Sequence, residues 1–369
     1  GYNGVHLVWR ALSALAEMAA VVAVFLIGLR LAGRWVGLLA AALYAAAVLS
    51  IQLSHFGTVD AMASAFATFA LLFAVRVQFE GRWTDYALFG LMFGAALASR
   101  INLAPLAGLI VLAAGLRALP ALDRALAWGE RERALLREAA GLVIAGVVTL
   151  IVFRLANPYT FMGPGILGLS LNPRWVADLN QARYLVSGQA EMPPNWQWVG
   201  RTPYLFAWNN MVLWGMGAAL GLAGWLGWLW AGARLVRGLS GALALLLPFV
   251  WVLVYFGWLG ANWVASMRYF LPLYPALALL AAWALVELVK RAGRSRLRRG
   301  LALALLASVT GFTLLWAVMF TSIYRQQLTR VQASHWFWEN VSGDFSMRVE
   351  GPSVNAVSYT HLRAHETPE

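Results

Sequence analysis

The sequence predicts an all-α polytopic membrane protein with about ten transmembrane helices, and three observations support this fold class. The chain of 369 residues is 61% hydrophobic and only 12% charged, whereas soluble domains carry about 25% charged residues. Its apolar residues form runs close to the roughly 20 residues that a helix needs to cross a bilayer. The connecting loops alternate between arginine-rich and arginine-poor, and cytoplasmic loops are the ones that collect Lys and Arg.

The arginine alternation assigns the two ends of every span. Loops after the odd-numbered spans carry the arginine excess, which is largest at 290–299, and loops after the even-numbered spans do not. The odd-numbered loops are therefore predicted to be cytoplasmic and the even-numbered loops extracytoplasmic. The predicted spans lie at 7–31, 35–54, 61–79, 86–99, 101–116, 141–155, 209–230, 242–260, 269–288 and 301–320.

Further segments divide the chain. Residues 117–137, rich in Arg and Glu, indicate a cytoplasmic surface helix. Residues 157–206 form a long extracytoplasmic loop, and their many Pro, Gly and Trp residues indicate an ordered, functional loop. The transmembrane domain is predicted to cover 1–321, and 322–356 to begin an outer soluble domain. Residues 357–369 resemble a translated sequencing adapter and are interpreted as a sequence artefact.

Composition excludes several classes of function. A net charge of +12 suits nucleic-acid binding, but the basic residues lie in short loops between apolar runs, where anionic lipid attracts them. The chain has no cysteine, which excludes disulfides, thiolate metal sites and cysteine nucleophiles. It has no P-loop, dinucleotide-binding glycine pattern or Ser-His-Asp arrangement. The sequence therefore predicts the lipid bilayer, and no nucleic acid, as a partner.

One acid and one histidine flank the extracytoplasmic start of the third span. A carboxylate at a membrane boundary beside a histidine can take a proton from an alcohol acceptor. Asp60 and His55 are therefore candidate catalytic residues. The same residues fit a helix N-cap, supplied by Thr58 or by Asp60 itself, and the two roles are compatible.

Three arginines lie at the extracytoplasmic ends of different spans. Charges at membrane depth are costly and usually mark a functional site, and arginine grips phosphate with paired donors. Arg100, Arg154 and Arg268 are therefore candidate ligands of a lipid-linked phosphate. Each could instead extend its side chain to the lipid headgroups.

Aromatic residues surround the Pro193-Pro194 pair in the long loop. Aromatic rings make good platforms for sugars and headgroups, but they are also ordinary interfacial anchors, and the pattern favours the anchor interpretation. The residues concerned are Trp196, Trp198, Tyr204 and Trp208.

Four sequence motifs occur in an order that is familiar from one group of enzymes. They are Ser-His-Phe-Gly-Thr-Val-Asp at 54–60, Asn-Pro-Tyr at 157–159, Met-Arg-Tyr-Phe-Leu-Pro-Leu-Tyr-Pro at 267–275 and Ala-Ser-His-Trp-Phe-Trp-Glu-Asn at 333–340. The chain resembles the membrane glycosyltransferases of the GT-C fold over about 8–350. That group includes bacterial relatives of protein O-mannosyltransferases and the aminoarabinose transferases.

The resemblance implies an inverting transfer of a hexosyl or pentosyl group from a polyprenyl-phosphate donor. The acceptor would be a glycan, lipid or protein at the outer face of the plasma membrane. In the family the catalytic base lies in the first outer loop, which would precede Gly1, so the resemblance implies an N-terminally truncated glycosyltransferase in which this fragment lacks that base. Asp60 matches a supporting acid, and Arg100 and Arg268 match basic residues that meet the donor phosphate. Tyr159 and Tyr269 lie in matching motifs and join Trp196 and Trp198 as expected substrate-loop residues.

Two alternatives to the enzyme remain open at this point. In a secondary transporter, Asp60 would be an ion-coupled site, although no inverted repeat is evident in the sequence. The chain could also be a non-catalytic membrane assembly subunit. The sequence leaves open the identity of the sugar and acceptor, the oligomeric state and any requirement for a divalent metal, and it offers no metal-ligand pattern.

Overall fold

The computed structural model describes residues 4–123, 127–190, 193–327, 329–341, 345–350 and 357–362. Helices dominate, which confirms the predicted fold class. Contacts divide the chain into two compact units, 1–317 and 318–369. The α-helices are α1 Val5–Ala32, α2 Arg34–Ala45, α3 Val48–Ser54, α4 Val59–Phe79, α5 Trp83–Ser99, α6 Leu106–Ala118, α7 Trp128–Ala156, α8 Pro173–Val186, α9 Pro193–Trp196, α10 Leu205–Asn210, α11 Ala218–Val236, α12 Leu246–Leu259, α13 Tyr274–Arg291, α14 Arg296–Thr321 and α15 Thr329–Asn340.

Each predicted span coincides with helical structure, although the seventh runs from α10 through a π-helical turn and a break at Met216 and Gly217 into α11. Eight helical segments in the described part of the chain are long and apolar enough to cross a membrane, and the bent pair α2–α3 would make nine. The predicted fourth span is α5, whose 17 residues lie at the lower limit for a membrane-crossing helix.

The second predicted span is broken. Its two parts, α2 and α3, meet at Ala46 and Ala47 with a bend of 60°. Sharp bends usually occur at proline or glycine, but neither residue stands at this break. Tyr44 before the bend and Ser50 after it both line a small cavity, and the hydroxyl of Tyr44 donates to Glu17 of α1, so tertiary contacts rather than a helix-breaking residue lie at the bend.

The centre of the first unit is α13 with the 3-10 helix Met267–Leu273 before it. In the most apolar stretch of the segment Met267–Arg291, 89% of the residues are buried inside the protein. Small residues let the helices approach, as is common in membranes. A Cβ added to Gly28 of α1 would lie 2.6 Å from Gly37 of α2, and one added to Gly227 of α11 would overlap the carbonyl of Leu280 in α13.

The part of 117–137 that the structure describes does not form a separate surface helix. The helix α6 ends at Ala118, a short 3-10 helix follows, and residues from Trp128 onward are the first turns of α7. Glu138 explains the difference, because it is buried and accepts hydrogen bonds from Tyr86 and, at 3.1 Å, from Arg117. These bonds attach α7 to the bundle at Glu138, while most of 128–137 stays exposed, and α7 continues to Ala156 without a break.

The described part of 157–206 has regular structure. Two short antiparallel strands, β1 Phe161–Met162 and β2 Ser170–Leu171, precede α8. Asn172 starts α8 by accepting a hydrogen bond from the backbone N–H of Arg174, a typical N-cap.

The second unit contains the end of α14, then α15 and a two-stranded antiparallel sheet. Strand β3 (Phe345–Glu350) pairs with β4 (Val357–Leu362). The first half of the predicted artefact is thus part of this hairpin, and 363–369 lie outside the described residues.

Candidate functional site

Asp60 lies in the first turn of α4 and is only 2% exposed. A carboxylate is favoured there because the N-terminal end of a helix carries positive partial charge. Thr58 occupies the N-cap position with extended backbone, but its side chain makes no capping hydrogen bond. Thr58 therefore does not cap α4 through its side chain, and Asp60 stabilises this end of the helix through the helix dipole alone.

Arg100 ends α5 and pairs with Asp60 through its Nη2. Three polar atoms of this pair or of residues near it in the sequence are buried without a hydrogen-bond partner: Arg100 Nε, Thr58 Oγ1 and Asn102 Oδ1. Unpaired buried polar atoms are rare in native proteins and each calls for an explanation. A bound polar ligand would supply the missing hydrogen bonds at this end of the bundle.

Tyr269 brings a second arginine to the same place. The Cζ of Arg100 lies 5.2 Å from the centre of its ring, and the Cζ of Arg268 lies 5.3 Å from it. Two guanidinium groups from distant parts of the chain therefore share one aromatic ring. Such cation–π contacts hold each charge in place while leaving its N–H donors available.

The 3-10 helix that carries Arg268 and Tyr269 is held by α12. The hydroxyl of Tyr255 donates to the carbonyl of Tyr269 at 3.3 Å, and the indole of Trp251 donates to the carbonyl of Pro272 at 2.9 Å. Because these donors are buried in the core, the position of the arginine-bearing segment depends on the packing of the whole bundle. We name Asp60, Arg100, Arg268 and Tyr269 the charged cluster.

A cavity of about 360 Å³ adjoins the charged cluster at Arg268. Its wall combines aromatic rings with neutral polar side chains, a combination that suits a small polar ligand. The rings of Trp198 and Phe206 meet edge to face with their centres 6.0 Å apart. The other lining residues are Leu49, Gln52, Leu53, Asn210, Ala265, Ser266 and Met267.

His55 lies on the element that precedes Asp60 and contacts its own helix. It is exposed at the end of α3, and its Nδ1 lies 2.7 Å from the carbonyl oxygen of Ile51. A carbonyl oxygen can only accept, so Nδ1 carries the proton in this contact. The contact fixes the imidazole to its own helix.

Arg154 is engaged with the long loop. Its Nε donates to the carbonyl of Gly168 at 3.0 Å, and its Nη2 donates to the carbonyl of Gly165 at 2.8 Å. The guanidinium also lies over the ring of Phe161. These contacts tie the turn between β1 and β2 to the end of α7, so they account for Arg154 without a phosphate.

The other expected loop residues also lie away from the charged cluster. Tyr159 donates from its hydroxyl to Asp178 Oδ2 at 2.9 Å, and this hydrogen bond raises the pKa of Tyr159. Trp196 is largely exposed. Only Trp198 of the predicted loop aromatics lines the cavity beside Arg268.

Sequence reasoning did not single out Gln52 and Asn210, which line the cavity. Both are neutral polar residues within apolar runs, and that placement was the available signal. Asn210 directly precedes a π-helical turn, Met211–Gly215, a feature often found at functional sites. Within the described residues, no group of three or more His, Asp or Glu side chains could hold a metal ion.

Sequence comparison finds one family match. Residues 3–159 match the model of the dolichyl-phosphate-mannose-protein mannosyltransferase family. The matched part includes Asp60 and Arg100 and ends before Arg268. No curated protein sequence matches the chain significantly.

Structural comparison finds membrane glycosyltransferases. The archaeal oligosaccharyltransferase AglB from Archaeoglobus fulgidus, in complex with an inhibitory peptide and a dolichol-phosphate, superposes with a TM-score of 0.51 and 17% identity over 90% of this chain and 47% of its own. The same enzyme tethered to an acceptor peptide with the NVT sequon gives 0.51 and 18%, over 90% and 46%. ArnT from Cupriavidus metallidurans bound to undecaprenyl phosphate gives 0.49 and 15%, over 89% and 58%.

The chain is a multi-pass membrane protein with the GT-C fold, and the resemblance predicted from its motifs is confirmed. It spans about half the length of the solved structures that it matches. Its first helices, through the start of the long loop, carry the mannosyltransferase family match.

Proposed function

We propose that the chain belongs to an enzyme that transfers a sugar from a polyprenyl-phosphate donor to an acceptor at the extracytoplasmic face of the plasma membrane. The observation that carries this proposal is the charged cluster. Its acid, its two arginines and its tyrosine come from three separate stretches of sequence and meet at one end of the bundle. The family match and the dolichol-phosphate bound by AglB support the same donor class.

Arg100 and Arg268 differ in the positive charge that they have available for binding a phosphate. Arg100 is largely neutralised by Asp60, whereas no ion pair of Arg268 is found among the described residues. Arg268 therefore keeps a net positive charge and unused N–H donors that can meet a phosphate. Positive groups fixed beside a departing phosphate stabilise the charge that develops as its bond to the sugar breaks.

An apolar cavity of about 290 Å³ offers room for an isoprenoid tail. It runs along α4 from Met62, two residues after Asp60, down to Phe73. No polar side chain lines it. Its full lining is Ala16, Ala19, Met62, Ala65, Phe66, Phe69, Phe73 and Met92. A phosphate at the charged cluster and a chain of isoprene units along α4 would thus belong to one molecule.

In the proposed reaction, an acceptor oxygen or nitrogen attacks the anomeric carbon from the face opposite the phosphate. The bond between carbon and phosphate oxygen breaks, and the electron pair leaves with the phosphate. The acceptor proton passes to a base that the charged cluster does not itself supply. Asp60 is already engaged with Arg100, so we assign Asp60 the role of positioning that guanidinium.

Binding of undecaprenyl phosphate by the purified protein tests the proposal. We expect Arg268→Ala to weaken binding 10-fold or more, because one charge-assisted contact to phosphate contributes about 1.5–3 kcal/mol. Arg183→Ala, at an exposed position of α8, is the matched control and should bind as the wild type does. Equal affinity in all three proteins would overturn the proposed donor site.

The broken span α2–α3 favours a secondary transporter, because such proteins bind solutes at interrupted helices. Uptake of radiolabelled solutes into vesicles that contain the protein would support that second function. Sugar transfer from a polyprenyl-phosphate donor, without uptake, would support the enzyme.

A further inference from the structure

A second acid is buried in the bundle, apart from the charged cluster. Glu17 lies in the middle of α1 and is 7% exposed. The hydroxyl of Tyr44 donates to its Oε2 at 2.6 Å, while its Oε1 is buried without a hydrogen-bond partner. Within the described part of the chain, no ion pair involves this carboxyl group. A carboxyl at membrane depth with one oxygen unused marks a functional site by default.

Glu17 lines a cavity of about 190 Å³ at the bend between α2 and α3, and its unused oxygen is buried beside that cavity. Met18 lines the cavity and is 65% exposed, so the cavity can be reached from the surface of the bundle. The hydroxyls of Ser50 and Ser54 add polar groups to an otherwise apolar wall. The remaining lining residues are Ala14, Val21, Tyr44, Ala45 and Ile51.

The polarity of the cavity favours a cation. The hydrogen of Tyr44 is donated to Glu17, and that of Ser54 is donated to a backbone carbonyl. These two hydroxyls are left as acceptors, while the hydroxyl of Ser50 can accept or donate. The helix α2 ends at Ala45 beside the cavity, and the C-terminal end of a helix carries negative partial charge. A buried carboxylate must be compensated by a proton or a cation, and an incoming cation would replace the proton.

We propose that this cavity binds a ligand with a primary ammonium group, held by Oε1 of Glu17 and the hydroxyl of Ser50. A metal ion fits less well, because a single carboxylate lines the site and the described residues hold no larger group of His, Asp or Glu. The volume also exceeds what a bare ion needs, since one water occupies about 30 Å³ in the liquid. The apolar wall would contact the carbon atoms next to the ammonium group.

The ammonium group has two accessible sources, an aminophospholipid or a small soluble amine. The cavity lies close to the end of the bundle that carries Asp60. One helical turn from Glu17, the hydroxyl of Ser13 contacts the carbonyl of Thr58 at 3.5 Å, and a turn of helix rises about 5.4 Å. An aminophospholipid could therefore reach the cavity from the neighbouring headgroup layer.

Native mass spectrometry of the full chain, purified in detergent, tests the proposal. The lipid probes are phosphatidylethanolamine and phosphatidylcholine with the same acyl chains, because the trimethylated headgroup of the second has no N–H to donate. We expect the wild type to prefer phosphatidylethanolamine at least 10-fold. Glu17→Gln should abolish this preference. The control Glu287→Gln, which changes a carboxyl near the C-terminal end of α13, should retain it.

A soluble probe separates the two sources. Displacement of phosphatidylethanolamine by millimolar ethanolamine would show that the ammonium group alone is recognised. Thermal stabilisation by ethanolamine without any lipid preference would identify a soluble amine as the ligand. Met18→Trp, which fills the cavity from its exposed side and leaves Glu17 intact, should remove either effect and guards against misfolding of Glu17→Gln.

Three results would overturn the proposal. One is equal binding of both lipids by the wild type together with no effect of ethanolamine. Another is an ammonium preference that survives in a folded Glu17→Gln protein. The third is stabilisation by sodium chloride alone, which would replace the organic cation with a bare ion.

Discussion

The guanidinium of Arg100 forms an ion pair with the carboxylate of Asp60, and this pair links the end of α5 to the start of α4. Asp60 is almost fully buried and Arg100 largely so, and a buried charge is stable only beside its partner. The pair is thus both a structural link and one side of the proposed donor site.

Breaking this pair should be costly. Asp60→Asn keeps the shape of the side chain but leaves Arg100 without its counter-charge, so we expect a loss of about 2–4 kcal/mol in unfolding free energy. Replacing both residues, as Asp60→Asn with Arg100→Gln, should cost less than the two single changes together. A coupling energy above about 1 kcal/mol in this cycle, measured by thermal or denaturant unfolding, is the expected outcome. Additive effects would show that the two residues do not form a pair.

The ring of Tyr269 should matter more than its hydroxyl. Tyr269→Phe keeps the aromatic face that Arg100 and Arg268 contact, whereas Tyr269→Leu removes it. Each cation–π contact contributes about 0.5–1 kcal/mol. We therefore expect the Leu variant to bind undecaprenyl phosphate several-fold more weakly and the Phe variant to bind like the wild type. Equal loss in both variants would assign the effect to the hydroxyl instead.

The close packing of α11 on α13 should depend on Gly227. A methyl group there would overlap the backbone of Leu280, which cannot rotate away. We expect Gly227→Ala to lower the unfolding free energy by about 1–3 kcal/mol. Gly146→Ala in α7 is the control, because an added Cβ meets nothing within 4 Å there. That control should be neutral or slightly stabilising, since alanine favours helix more than glycine does.

Arg154 should stabilise the long loop without affecting donor binding. Arg154→Gln loses the hydrogen bonds to Gly165 and Gly168, so we expect faster hydrogen exchange or proteolysis at 163–168. Undecaprenyl phosphate binding should stay within twofold of the wild type. Arg174→Gln, at an exposed position of α8, should change neither quantity. A large loss of lipid binding in Arg154→Gln would return this arginine to the phosphate site.

The helices were predictable because a chain in lipid must satisfy its backbone inside each helix, so apolar length alone marks a span. The meeting of Asp60, Arg100 and Arg268 was suggested by their shared side of the membrane. The sequence could not reveal that Arg154 donates to the carbonyls of Gly165 and Gly168. Backbone carbonyls accept hydrogen bonds from a guanidinium in any turn, and they leave no pattern in the sequence.

Other features depend on contacts that no local pattern encodes. The bend at Ala46 and Ala47 lacks proline and glycine, and it follows from packing around Tyr44. Glu138 directly follows the polar stretch 117–137 that was predicted to be a surface helix, and it is buried against Tyr86 and Arg117. Glu17 was visible as a lone carboxyl in an apolar run, and that signal was overlooked.

The helices α13 and α7 are shielded from the lipid to very different degrees. Protein covers 89% of the apolar stretch that starts at Met267, but only 17% of that in α7. A membrane that becomes thinner or thicker acts on helices that touch its acyl chains, through tilt and mismatch. Such a change therefore acts on α7 more than on α13. Arg268 and Tyr269, which lie in the 3-10 helix before the shielded α13, keep their spacing in membranes of different thickness.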